Sequence, residues 1–223
     1  MQTLAFLIDV DNTLIDNDFV KSDLDEHIKV QMGDVLADRF WELYEKTREE
    51  GDVINIPLAL EWLRQQTPLS ELDEQTYQHV LSLFDNYPFF DALYPHALDA
   101  LNYLRTLGLT VITSDGDMYF QAEKIFHSTI AETVEGRVLL YTHKQEHLKE
   151  IMERYPADHY VMIDDKSDIL AESKLILGKK LTTTLVLQGK YATLDKPENF
   201  TPDITLQHIG DVCRCSREQF LHV

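Results

Sequence analysis

The chain has 223 residues and a formal charge of −19, from 39 acids against 20 bases. Its 44% hydrophobic and 26% charged content is ordinary for a folded protein with one sizeable core, with or without an insertion, and excludes a disordered chain. The charge argues against broad binding to nucleic acid or anionic membranes, so an anionic ligand must be captured by local bases, backbone amides or a metal.

The chain opens on an apolar run, Leu4-Ala5-Phe6-Leu7-Ile8, with no basic start and longer apolar region, so no secretion signal is expected. No stretch approaches membrane-spanning length. Cys213 and Cys215, the only cysteines, read as ordinary thiols in a reducing, cytoplasmic compartment. The first strand is expected at about residues 3 to 9, followed by polar Asn12-Thr13 and a loop through Asp16-Asn17-Asp18. From there to about residue 92 the pattern is helical. Asp34 to Tyr44 places apolar residues three and four apart, Ile56 to Leu63 starts a helix with Pro57 in its first turn, and Ser70 to Leu81 predicts another. Trp41, Tyr44, Trp62 and Tyr77 fit helical spacing as core residues.

Beyond Tyr94 the rhythm changes to alternating helices and apolar strands. A helix over 95–107 ends at Gly108, then come a strand at Leu109–Thr113, a helix from Tyr119 to about Ile130 and a strand at Arg137–Tyr141. A helix from about Gln145 to Arg154 precedes a strand at Tyr160–Ile163. A helix through Leu170 to Leu177, a strand at Thr183–Leu187, an irregular stretch from about Gly189 to Pro202, a strand at Asp203–Leu206 and a short tail complete the chain. This alternation predicts an α/β fold, a parallel sheet with helices on both faces and ligands beyond the carboxyl ends of its strands.

Several strands end in polar residues. The first ends in Asp9-Val10-Asp11-Asn12-Thr13, whose two acids can converge on one small volume. Crowded carboxylates need a hard cation between them, or one acts as a nucleophile beside a general acid. Asp-x-Asp also occurs in surface turns and calcium loops, but the Gly and terminal Glu of a helix-loop-helix calcium loop are missing. The second strand ends in Thr113-Ser114-Asp115-Gly116-Asp117, where a hydroxyl and flexible backbone suit an oxyanion and also an ordinary turn. The third ends in Thr142-His143-Lys144, and a lone lysine there is usually a solvated charge. The fourth ends in Asp164-Asp165-Lys166-Ser167-Asp168, where acids after a buried strand are costly unless paired or bound to metal.

In order, Asp9-x-Asp11-x-Thr13, Ser114, Lys144 and Asp164-Asp165 resemble the four motifs of the haloacid dehalogenase-like superfamily of phosphohydrolases. The resemblance covers residues 3 to about 190. It implies a Rossmann-like core at 1–15 and 93–223 with an α-helical cap inserted at 16–92. It also implies that Asp9 attacks phosphorus to form an aspartyl-phosphate, while Asp11 protonates the leaving oxygen and then activates water. Mg²⁺ would be bound by Asp9, the Asp11 carbonyl and acids among Asp164, Asp165 and Asp168. Ser114, with the following Asp115-Gly116, and Lys144 would hold the phosphoryl oxygens; Thr113 takes the place of Ser114 if the strand slips by one residue. The implied substrate is a small phosphorylated metabolite. A phosphomutase or phosphotransferase would use the same groups, a low-turnover regulatory protein would keep the fold, and a dehalogenase would need the nucleophile but not Asp11. In the cap, Lys21, Arg39, Lys46 and Arg48 read as surface residues. Tyr119, Gln121 and Lys124 read as a polar, solvated helix face near the site.

Overall fold

The computed structural model describes residues 2–51, 54–116, 118–194 and 197–221. Its centre is a six-stranded, wholly parallel sheet: β1 (Leu4–Ile8), β2 (Leu109–Asp115), β3 (Val138–Tyr141), β4 (His159–Asp164), β5 (Leu181–Val186) and β6 (Ile204–Leu206), in the order β3-β2-β1-β4-β5-β6. Successive side chains of β1 point to opposite faces: Leu4, Phe6 and Ile8 enter one core layer, Ala5 and Leu7 the other. A strand apolar at every position therefore lies in the middle of a covered sheet. The chain runs outward from β1 through β2 to β3 and restarts on the other side at β4, so strand order reverses between β1 and β4. Adjacent connections leave in opposite directions there and open a crevice at the carboxyl ends.

The helices α1 (Asn17–Gly51), α2 (Ile56–Gln66) and α3 (Glu74–Asp85) separate β1 from α4 (Ala97–Leu107). The helix α1 is two helices joined at a kink at Gly33, whose backbone (φ 77°, ψ 163°) suits glycine best. The insertion has its own aromatic packing, with Phe40 against Trp41 and Phe84 at ring-centroid distances of 5.0 and 5.6 Å. It is seated on the sheet domain through Phe84 and Phe89, which meet Phe120 at 6.1 and 5.5 Å. Of the four aromatics expected in the core, Tyr44 is buried, while Trp41, Trp62 and Tyr77 are partly buried. Trp62 and Tyr77 lie beneath Lys46 and Arg64.

After β2 come α5 (Met118–His127) and a single turn, α6 (Ile130–Thr133). These are two pieces where one helix was expected, because Thr129 takes a left-handed conformation. Residues Lys144–His147 form a 3-10 turn ahead of α7 (Leu148–Arg154), and α8 (Ser167–Leu177) follows β4. The loop expected after the first strand is more ordered than its composition implies. Asp16-Asn17-Asp18 is not a free loop: Asn12, itself left-handed (φ 59°), accepts from the Asn17 and Asp18 amides at 3.1 and 3.3 Å and caps the start of α1. The C-terminal tail packs on the core. Ile209, Val212 and Phe220 are buried, and the Phe220 ring meets Phe6 edge to face at 5.2 Å. Among the described residues no helix is long and apolar enough to cross a membrane. Cys213 is exposed and Cys215 buried, both as free thiols.

Candidate active site

The crevice between β1 and β4 collects most of the strand-end acids. Asp9 follows β1, and its amide donates to the Ile163 carbonyl at 3.0 Å, locking it beside β4. Asp164 closes β4 and Asp165 follows it. Carboxylate oxygens of Asp9, Asp164 and Asp165 lie within 4.8 Å of one another, and all three residues are buried. Burial, opposed by the Lys144 ammonium, pushes the Asp9 carboxyl up to about 7. Burial together with Asp164 and Asp9 pushes Asp165 up to about 9. Asp168 stands exposed in the first turn of α8, outside this group.

Lys144 is the counterweight, and it is fully buried rather than solvated. Its ammonium donates to Asp9 Oδ1 and to the Thr113 carbonyl at 3.2 Å, and pairs with Asp164 Oδ2 at 2.7 Å. Burial works against its charge, but Asp164, Asp9 and Asp115 prevail and hold it well above the ordinary lysine range. The Asp115 carboxylate accepts from the Lys144 backbone amide at 2.7 Å, so this side chain orients the lysine. Ser114 is buried at the end of β2, directly beside β1 in the sheet. Asp117 lies outside the described residues.

Asp11 is turned the other way. Its Oδ1 accepts from Lys124 Nζ at 2.5 Å, and its Oδ2 from Gln121 Nε2 at 2.9 Å. Burial alone would raise its carboxyl, but Lys124 and Gln121 more than offset this and hold it below the ordinary range. Lys124 also reaches Asn17 Oδ1 at 2.9 Å, tying the start of α1 to α5. Lys124 is 1% exposed and Gln121 5%, which corrects the expectation of a solvated helix face. The signal was present in spacing: residues 121 and 124 are three apart and share one side of α5. Only Tyr119 of that trio is exposed.

The chemistry of this donor set fits a hard cation and an oxyanion. Buried and without a hydrogen-bond partner among the described residues are Asp9 Oδ2, both Asp165 carboxylate oxygens and Ser114 Oγ. Such orphaned oxygens carry a desolvation cost that a divalent ion and its ligand would remove. A cavity of about 260 Å³ lies between the sheet domain and the insertion, lined on the sheet side by Asp11, Asp115, Gln121, Lys124 and Lys166. Lys21, expected on the surface, is half-buried and lines it with Trp41 and Tyr44, while Arg48, exposed as expected, also borders it. Arg39 and Lys46 lie elsewhere, in exposed ion pairs with Glu42 and Glu50.

This fold and this arrangement of strand-end residues define a hydrolase of the haloacid dehalogenase-like class. The family of haloacid dehalogenase-like hydrolases matches residues 3–170, and the chain belongs to it. A protein of Burkholderia xenovorans LB400, described in its crystal structure as a haloacid dehalogenase-like hydrolase, is 40% identical, with 98% of this chain and 99% of that chain covered and a TM-score of 0.88. The HAD-hydrolase YfnB of Bacillus subtilis, solved bound to magnesium, is 14% identical over the full length of both chains with a TM-score of 0.63. L-2-haloacid dehalogenase of Xanthobacter autotrophicus, solved with chloropropionic acid covalently bound, is 13% identical over 94% of this chain and 96% of that one, with a TM-score of 0.62. At such identities the last two are similar in fold alone. No curated protein matches the chain.

Proposed function

We propose that this hydrolase is a phosphatase acting on a small phosphorylated metabolite, with Asp9 as the nucleophile. The observation that carries the reading is the set of orphaned buried oxygens on Asp9, Asp165 and Ser114. Carbon–halogen displacement at an aspartate needs no divalent ion, whereas attack by a carboxylate on a phosphate dianion is electrostatically opposed without one. The three-carboxylate cluster therefore weighs against the dehalogenase activity named for several structural neighbours. Phosphoryl transfer to another hydroxyl would use the same groups.

Mg²⁺, when bound by Asp9, the Asp11 carbonyl, Asp164 and Asp165, supplies charge neutralisation between nucleophile and phosphate. Asp9 Oδ2 then attacks phosphorus, the ester oxygen leaves, and an aspartyl-phosphate forms. Lys144, already held on Asp9 Oδ1, keeps the nucleophile oriented and balances charge, and the Ser114 hydroxyl donates to a phosphoryl oxygen. Asp11 is held as a carboxylate, which suits the second half, where it takes a proton from the attacking water. For the first half the side chain turns toward the leaving oxygen and, having taken a proton from solvent, delivers it there; the proton taken from the attacking water in the second half restores the acid. The insertion acts as a cap over this floor, excluding water and selecting the leaving group.

The test is phosphate release from p-nitrophenyl phosphate and a panel of phosphorylated metabolites with Mg²⁺. Activity that disappears on chelation and returns with Mg²⁺ is expected. Full activity in excess EDTA, or release of halide from 2-haloacids with no phosphate release, would reject the reading.

A further inference from the structure

The cavity above the catalytic floor carries a charge opposite to that of the chain. Five cationic side chains, Lys21, Arg48, Lys124, Lys166 and Lys190, line it against two carboxylates, Asp11 and Asp115. The protein as a whole bears a formal charge of −19, so this excess is local and concentrated where ligand must enter. Several of these charges already have tasks. Lys124 holds Asp11, and Lys166 is held above its ordinary range, against the cost of burial, by the carboxylates of the floor, Asp9 first. Arg48 pairs with Glu45 at 3.1 Å on the rim.

Lys21 is different. It lies one turn into α1, faces the cavity and makes no hydrogen bond or ion pair with any described residue. Its ammonium sits over the Tyr44 ring, 5.0 Å from the centroid. Burial, then the like charges of Lys190 and Arg48, pull its pKa below the ordinary range, against the opposing carboxylates of Glu45 and Asp11. A lysine kept among cations in a partly desolvated cavity is unfavourable until an anion joins it. The phosphoryl group has Lys144, Ser114 and the metal site on the floor, so this cluster is surplus to it.

We infer that Lys21, assisted by Lys190 and Arg48, forms a second anion subsite, so the ligand is a phosphomonoester whose body carries a carboxylate or other second anionic group. The rest of the cavity fits such a body. Trp41, Tyr44, Phe84 and Phe120 supply apolar and aromatic walls, and a volume of about 260 Å³ suits a small metabolite. This inference rests on the phosphate-site reading above and extends it to the substrate class.

Calorimetry of the whole protein with Mg²⁺ tests it without turnover, using two pairs of phosphonates that differ in the carboxylate. 3-Phosphonopropionate is compared with propylphosphonate, and 4-carboxyphenylphosphonate with phenylphosphonate. In the wild-type protein at least one carboxylated probe is expected to bind about tenfold more tightly than its neutral partner, the scale of one charge-assisted contact. Lys21→Gln is expected to remove most of that advantage and Lys21→Arg to keep it. Equal binding within both wild-type pairs, or an undiminished advantage in Lys21→Gln, would overturn the subsite. If the neutral probes also fail to bind and p-nitrophenyl phosphate is not hydrolysed, the phosphate reading itself fails and the subsite falls with it.

Discussion

The two walls of the cavity are built on different physical terms. The sheet side is lined by Asp11, Asp115, Gln121, Lys124 and Lys166, and it is backed by buried Asp9, Asp164 and Asp165, with Lys144 paired to Asp9 and Asp164. On the insertion side, Lys21, Trp41, Tyr44 and Arg48 present aromatic faces and cations, with Lys21 lacking a carboxylate partner among the described residues. On the sheet side Lys144 pre-organises Asp9 and Asp164 before a ligand arrives. On the proposed reading the insertion wall would be completed by the ligand, and so would choose among ligands. Lys124 stands between the two, binding Asp11 on one side and Asn17 at the start of α1 on the other.

Substitutions should separate the walls. Asp9→Asn is expected to lower hydrolysis of every phosphorylated substrate by roughly 10⁴-fold or more while far-ultraviolet circular dichroism stays native. Residual turnover near the wild-type rate would mean that the sheet wall is not where the chemistry occurs. Lys144→Met removes the shared partner of Asp9 and Asp164 and should cost both activity and about 3–5 kcal/mol of stability, read from denaturant midpoints. A midpoint unchanged in the absence of metal would show that the acid cluster does not depend on this lysine. Lys124→Met should be milder, roughly 2 kcal/mol, because Asp11 is 23% exposed at its side chain and regains water when its partner is lost.

A further prediction concerns metal and pH. The raised carboxyls of Asp9, near 7, and Asp165, near 9, keep protons in the folded protein that the unfolded chain has already released. The metal-free fold therefore loses stability as pH climbs from about 4, the unfolded carboxylate range, toward those folded values. Below that range the penalty vanishes. Mg²⁺, which requires the ionised carboxylates, should raise the melting temperature more at pH 8 than at pH 5. An equal rise at both values would contradict the cluster as the metal site.

Why one wall could be read from the sequence and the other could not follows from geometry. A parallel strand delivers the residues after its last apolar position to one edge of the sheet, so Asp9, Ser114 and Asp164 were legible from where the apolar runs stop. Lys144 was legible only through the resemblance, since a lysine ahead of a helix is normally solvated. On a helix, periodicity separates buried from exposed faces but does not say that a partly buried flank borders a cavity. Lys21, Arg48, Gln121 and Lys124 all sit on such flanks. The capping of α1 by Asn12 and the burial of Phe220 against Phe6 were hidden for a related reason: both join residues whose proximity depends on the completed fold.

The most direct measurement is mass analysis of the acid-quenched enzyme during turnover of p-nitrophenyl phosphate with Mg²⁺. A phosphoryl adduct on the peptide containing Asp9, absent from Asp9→Asn, is the predicted result. Sustained hydrolysis with the adduct missing from that peptide, and with Asp9→Asn still active, would contradict Asp9 as the nucleophile.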